Sequence, residues 1–100
     1  MQKKTEEFIA LHGLHCNETA RYTDLVSEIG ELGKEILKGT DYGKHPYVRT
    51  PGAAAEAGDC LFSLLALCTE LGIDAEEALD SAIEKYRLRF AWKGSADSGK

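Results

Sequence analysis

Apolar residues recur with a helical period between residues 18 and 38: Tyr22, Leu25, Val26, Ile29, Leu32, Ile36 and Leu37. Steps of three and four place them on one side of an α-helix. Asn17 stands where an N-cap belongs, and Gly39 where a helix stops. A second stretch, about 53 to 71, is apolar nearly all round from Cys60 onward, through Leu61, Phe62, Leu64, Leu65, Ala66, Leu67, Cys68 and Leu71. A helix of that kind is buried on most sides. The chain has 100 residues, one domain's length, and its 43% hydrophobic content makes a small core. Much of the apolar surface of the third helix is therefore expected to meet a second subunit.

Two further helices complete the pattern. Thr5 to Leu14 carries Phe8, Ile9 and Leu11 on its apolar side, and residues 13 to 16 break it. After Gly72, Asp74 and Glu77 form a capping-box pattern for a last helix bearing Ala78, Leu79, Ala82, Ile83, Tyr86 and Phe90. Two prolines and few turn clusters favour long helices. The expected fold is all-α, a four-to-five-helix bundle in one domain over 1–93, with 94–100 as a disordered tail.

The net charge of −5 and pI near 5.1 oppose a nucleic-acid groove, which needs a basic footprint. No run of about 18 apolar residues occurs, so no membrane partner is expected. The segment Met1 to Glu7 lacks the apolar stretch of a signal peptide, and three cysteines (Cys16, Cys60, Cys68) make a poor disulfide framework. Both favour a cytoplasmic location. Cys60 and Cys68 are expected to act as small core residues.

On this helical frame lie two motifs of the form Glu-x-Gly-acid, Glu28-Ile29-Gly30-Glu31 and Glu56-Ala57-Gly58-Asp59. Carboxylates at i and i+3 share a helix face. On the second helix, Asp24, Glu28, Glu31 and Glu35 form one stripe. Alone it would be a solvated acidic face, softened by Lys34 and Lys38. On the third helix, however, the polar stripe is narrow: Glu56, Asp59, Ser63 and Glu70. Glu56 and Asp59 thus border a buried surface, where acids are rarely left unpaired. A lysine or arginine from a neighbouring helix is one way to pair them; a divalent cation shared with Glu28 and Glu31 is the other. Gly30 and Gly58 occupy the same slot in both motifs, although glycine inside a helix costs about 1 kcal/mol relative to alanine. If the helices cross at these glycines, four carboxylates converge.

The donor set points to a particular class of ion. Glu-x-x-His pairs of the di-iron type are absent: Ile9, His12 and Tyr42 stand three before His12, His15 and His45. All-oxygen ligation favours Mg²⁺, with Mn²⁺ as the alternative, over zinc. Mg²⁺ bound by carboxylates keeps waters and takes substrate phosphates. The segment His12-Gly13-Leu14-His15-Cys16 offers too few ligands for a zinc site.

Four segments in order, Leu25-Val-Ser-Glu28-Ile-Gly-Glu31-Leu, Ala55-Glu56-Ala-Gly-Asp59-Cys-Leu-Phe-Ser-Leu-Leu, Leu71-Gly-Ile-Asp-Ala-Glu-Glu-Ala-Leu79 and Lys85-Tyr-Arg-Leu-Arg89-Phe90, resemble the MazG-like all-α nucleoside triphosphate pyrophosphohydrolases. The resemblance covers about residues 18 to 90. It implies that Glu28, Glu31, Glu56 and Asp59 bind Mg²⁺ and form the catalytic set. It also implies hydrolysis of a nucleoside triphosphate to a monophosphate and pyrophosphate, and a homodimer or homotetramer. Many members carry Glu-Glu before x-Gly-Glu; here Ser27 takes the first place. A proton acceptor would then be one of the four carboxylates or Glu35.

Lys85 and Arg89 are four apart, and Lys93 continues the line. Such a basic last turn also complements the helix dipole; the resemblance favours phosphate binding for Lys85 and Arg89. The loop 39–52 adds Lys44 and Arg49 as phosphate-reaching cations and Tyr47, with Tyr42 and His45, as aromatic surfaces for a base. The rival expectation is a non-catalytic helical interaction module whose acidic cluster binds a metal or a basic partner.

Overall fold

The structure, a computed structural model, describes residues 1–93; the expected tail at 94–100 lies outside them. The described residues form four helices: α1 (Gln2–Leu11), α2 (Glu18–Gly39), α3 (Ala53–Glu70) and α4 (Ala75–Lys93). No strand occurs among them, and the chain is all-α as expected. No helix among them is long and apolar enough to cross a membrane.

Helix boundaries follow local chemistry. Asn17 caps α2 by accepting the Ala20 N–H at 2.8 Å, and Asp74 Oδ1 accepts the Glu77 N–H at 3.0 Å at the start of α4. α1 begins three residues before the expected Thr5 and ends at Leu11 rather than Leu14. Thr5 Oγ1 donates to the Met1 carbonyl, so the early polar residues are helical too. At the other end Gly13 takes φ +63°, which stops the helix.

α2 and α3 pack side by side in antiparallel register. The Cys60 thiol donates to the Glu28 carbonyl at 3.2 Å, while Glu35, two turns on, stands against Gly52 at the start of α3. α1 crosses the second half of α3. Phe8 meets Phe62 edge-on at 6.1 Å, and Thr69 Oγ1 donates to Glu6 Oε2 at 3.2 Å. The core sits at this crossing: Ile9, Leu65 and Ala66 are its buried apolar side chains, with Thr5 and Ser63 beside them. Arg21 is buried as well and donates through Nη2 to the Leu14 carbonyl, fixing the α1–α2 connection.

One expectation about packing needs correction. Gly30 and Gly58 do not let the helices approach: a Cβ built on either meets nothing within 4 Å. Both face open space, because the α2–α3 contact runs through Cys60, Glu35 and Gly52 instead. The close-approach glycines are Gly39 and Gly52. A Cβ on Gly39 would lie 2.5 Å from Tyr47 Cε1 and 2.7 Å from the Val48 carbonyl oxygen. α3 packs on both α2 and α1 and leaves Leu61 and Leu64 more than two-fifths exposed, as an apolar helix that also meets a second subunit would.

α4 is held mainly at its start. Gln2 Oε1 accepts the Ala75 N–H at 2.7 Å, and Gln2 Nε2 donates to the Ile73 carbonyl at 2.8 Å. Beyond that clamp, Leu79, Ile83, Leu88 and Phe90 are all exposed, and Trp92 stands 86% exposed. The Cα radius of gyration is 16.7 Å; a compact 100-residue domain would have about 13 Å.

Candidate metal and phosphate site

The α2–α3 pairing brings three of the four candidate carboxylates together. One oxygen from each of Glu28, Glu56 and Asp59 lies within 4.8 Å of the other two. Glu28 and Glu56 are half-buried and Asp59 is exposed. Glu31, one turn along α2, is exposed and does not join this group. The i, i+3 spacing puts Glu31 on the right side of the helix, but the register sets Glu28, not Glu31, opposite Cys60.

The electrostatics are unfavourable without a counter-charge. Burial pushes the Glu56 carboxyl up, and Asp59, Glu31, Glu28 and Glu35 add to the rise by like-charge repulsion. The Cys60 thiol is raised in the same way, first by burial and then by Glu28, Glu56 and Asp59. Among the described residues the ion pairs are His15–Glu70, Lys38–Glu35 and Arg87–Glu84, so none neutralises the three carboxylates. A pairing lysine or arginine, the structural alternative for Glu56 and Asp59, is thus not supplied by the described residues. Three oxygens without a nitrogen or sulfur donor suit a hard divalent cation.

The basic candidates lie elsewhere. Lys85 Nζ and the Arg89 guanidinium flank the Tyr86 ring, at 5.1 and 5.7 Å from its centroid. They share α4, which makes little contact with α2 and α3. The protomer therefore does not assemble them with the acids. Arg87, between them, is engaged with Glu84, whose carboxyl this hydrogen bond holds below its usual range. Lys44 and Arg49 are exposed on the α2–α3 connection. Tyr47 has one edge on Gly39 and is half-exposed. The connection is a well-bonded turn. Thr40 accepts the Lys44 and His45 N–H groups at its carbonyl and the Gly43 N–H at its hydroxyl, while Val48 N–H returns to the Gly39 carbonyl. Asp41 and Tyr42 adopt φ +50° and +60°, conformations rare for non-glycine residues. Ser27 is exposed on α2. His12 packs on the Phe8 ring, centroids 4.4 Å apart, and His15 pairs with Glu70.

Sequence reasoning missed one contact beside the site. Thr50 Oγ1 donates to Glu35 Oε1 at 3.0 Å, and a Cβ on Gly52 would lie 2.5 Å from the same oxygen. The available signal was Gly52 at a helix start with no capping side chain, four residues before Glu56.

Residues 17–92 match the model of the MazG nucleotide pyrophosphohydrolase domain. The chain is 37% identical over 68 residues to the uncharacterized protein YpjD of Bacillus subtilis (strain 168), covering 65% of this chain and 60% of that one. The chain thus spans about three-fifths of this curated relative's length. No solved structure matches the chain. The matched region contains both acidic motifs, their supporting helices and Lys85 and Arg89 of α4, and on that match the chain belongs to the MazG nucleotide pyrophosphohydrolase domain family.

Proposed function

We propose that this chain is a Mg²⁺-dependent pyrophosphohydrolase that hydrolyses nucleoside triphosphates between the α- and β-phosphates, releasing a monophosphate and pyrophosphate. The observation that carries the reading is the convergence of Glu28, Glu56 and Asp59, an unneutralised all-oxygen cluster on the α2–α3 pair. These three hold the cation, and Glu31, exposed one turn away, is the fourth ligand. A divalent cation there supplies Lewis acidity toward phosphate oxygens. The residues themselves fix the position of the triphosphate and, at the carboxylates, take up the proton released by the attacking water. Mn²⁺ is the alternative ion.

Phosphate charge beyond the cation's reach needs Lys or Arg. Lys85 and Arg89 are assigned that role, with Lys44 and Arg49 flanking and Tyr47 offering its exposed face to the base. Because α4 stands apart from the acids in one protomer, Lys85 and Arg89 act from a second copy. The bare apolar side chains of α4 and the uncovered side of α3 supply surface for that homodimer, or for a homotetramer built from it.

The test is release of pyrophosphate by the purified protein with Mg²⁺ across common and modified nucleoside triphosphates. Release with at least one of them, abolished by EDTA, is expected. No release from any would overturn the enzymatic reading and leave a metal-binding interaction module.

A further inference from the structure

Glu35 belongs to the acidic stripe of α2 but not to the carboxylate cluster. Its side chain is only 13% exposed, well covered for an acid on a helix of a thin protomer. Three contacts explain this. Thr50 Oγ1 donates to Oε1 at 3.0 Å, Lys38 Nζ lies 3.7 Å from Oε2, and the Gly52 backbone abuts the carboxylate so closely that any Cβ there would collide with Oε1. Gly52 is also the N-cap residue of α3 and brings no side chain to cap it. A carboxylate held against that helix start complements the positive end of the helix dipole.

What Glu35 touches is connected to the site by one turn of helix. The Gly52 carbonyl accepts the Glu56 N–H at 3.1 Å, so the residue pressed against Glu35 is the one from which the turn bearing Glu56 is hung. On α2, Glu35 is two turns from Glu28, roughly 10 Å along the axis. On the other side of the cluster the Cys60 thiol ties α3 to the Glu28 carbonyl. The cluster thus lies between two cross-links.

We propose that Glu35, with Thr50 and Gly52, is a positioning residue for the carboxylate site, latching the start of α3 to α2 so that Glu56 and Asp59 meet Glu28. The proposal rests on the metal-site reading above. It assigns Glu35 neither to the cation nor to proton transfer: one of its oxygens is held by the Thr50 hydroxyl. The position needs a hydrogen-bond acceptor of glutamate length more than a charge. Gln therefore substitutes for it and Ala does not.

Two measurements on the full chain test this. The first is amide hydrogen exchange across residues 53–59 in metal-free protein. Glu35→Ala, Thr50→Val and Gly52→Ala should speed exchange there on the order of tenfold, leaving exchange around Ile9 and Leu65 unchanged, with Glu35→Gln close to wild type. The second is Mn²⁺ affinity without nucleotide, read by electron paramagnetic resonance. The first three variants should bind about tenfold more weakly, the loss typical of a supporting contact, and Glu35→Gln should be within a few-fold of wild type. If Glu35→Gln loses as much affinity as Glu35→Ala while Thr50→Val binds normally, Glu35 is a ligand and the latch is refuted. Unchanged exchange in Glu35→Ala and Thr50→Val refutes it as well. If the wild type binds no Mn²⁺ at all, the metal-site reading fails, and the latch is judged by hydrogen exchange alone.

Discussion

The α2–α3 pair and α4 are of similar length but differ in how they are held. α2 and α3 are joined along their sides by a thiol–carbonyl bond, a carboxylate latch and the glycine-lined return at Gly39. α4 is secured chiefly at its N-terminus, by the amide of Gln2, and most of its apolar side chains face outward. The difference extends to charge. The first region gathers carboxylates without a partner, whereas the second displays lysine and arginine around Tyr86 without an acid other than Glu84. A triphosphate needs both a cation site and basic side chains. In the function proposed above each region supplies one, and α4 makes little contact with α2 and α3.

The sharpest way to break this division is to remove charge from the acidic half. Glu56→Gln and Asp59→Asn should each lower pyrophosphate release on the order of 100-fold or more, since each takes a negative charge from the group proposed to hold the cation against the reacting phosphates. Circular dichroism should show unchanged helix content, because neither side chain is in the core. Full activity in both variants would sink the assignment of the site to the α2–α3 pair.

The basic half should respond less steeply. Arg89→Ala removes about one charge-assisted phosphate contact, and KM should rise roughly tenfold. Ile83→Glu places a charge on the bare face of α4, and sedimentation should show the proposed dimer dissociating. Mixing inactive Glu56→Gln protein with Arg89→Ala protein distinguishes a site built within one chain from one built across two. Subunit exchange creates one intact site per mixed dimer if the site is shared, and activity should then exceed that of either parent. No recovery in demonstrably mixed dimers would return Lys85 and Arg89 to a structural role.

The same contrast explains how much was legible in the sequence. α2 and α3 were readable to within a residue or two, since period, cap and stop agreed: Asn17 does cap, and the apolar steps from Tyr22 to Leu37 do make one helix. The acidic motifs identified Glu28, Glu56 and Asp59 because helical spacing alone sets which carboxylates share a face. Spacing does not set the register between helices. That depends on which small or hydrogen-bonding residue meets the partner, here Cys60 and Gly52 rather than Gly30 and Gly58. Glu31 stays outside the tight three-oxygen group, yet its charge still acts on Glu56. On α4, periodicity marked Leu79, Ile83 and Phe90 as apolar positions, and all three are exposed among the described residues. A pattern of burial can be read from one chain, whereas the surface that does the burying can belong to another.

The two outward glycines offer a finer test. In the protomer a Cβ on Gly30 or Gly58 meets nothing within 4 Å, so alanine there should only reduce the freedom of the unfolded chain. Each substitution should stabilise by about 0.5–1 kcal/mol, the helix-propensity difference, seen as a higher midpoint in thermal unfolding. A lower midpoint accompanied by a weaker dimer would mean that a second copy closes on the α2–α3 face as well as on α4.

The smallest effect is a pH dependence confined to the acidic half. Burial and the neighbouring carboxylates raise the Glu56 carboxyl above its ordinary value. For an acid shifted upward on folding, the charged form is the disfavoured one. Its contribution to stability is fully present below its unfolded pKa and is lost as pH rises through the raised value. Metal-free wild type should therefore melt slightly below Glu56→Gln at about pH 7, and the gap should close as pH falls toward the carboxylate range. Glu84 runs the other way: its hydrogen bond to Arg87 lowers its carboxyl, so its contribution is present at neutral pH and lost on acidification. Both proteins carry that pair, and it cancels in the difference. Mg²⁺ at neutral pH should raise the wild-type midpoint more than that of Glu56→Gln, because the cation binds the folded state and offsets the repulsion that the substitution has already relieved. A gap that does not change with pH or with Mg²⁺ would show that the carboxylates of α2 and α3 do not feel one another, and would remove the electrostatic reason for a cation between them.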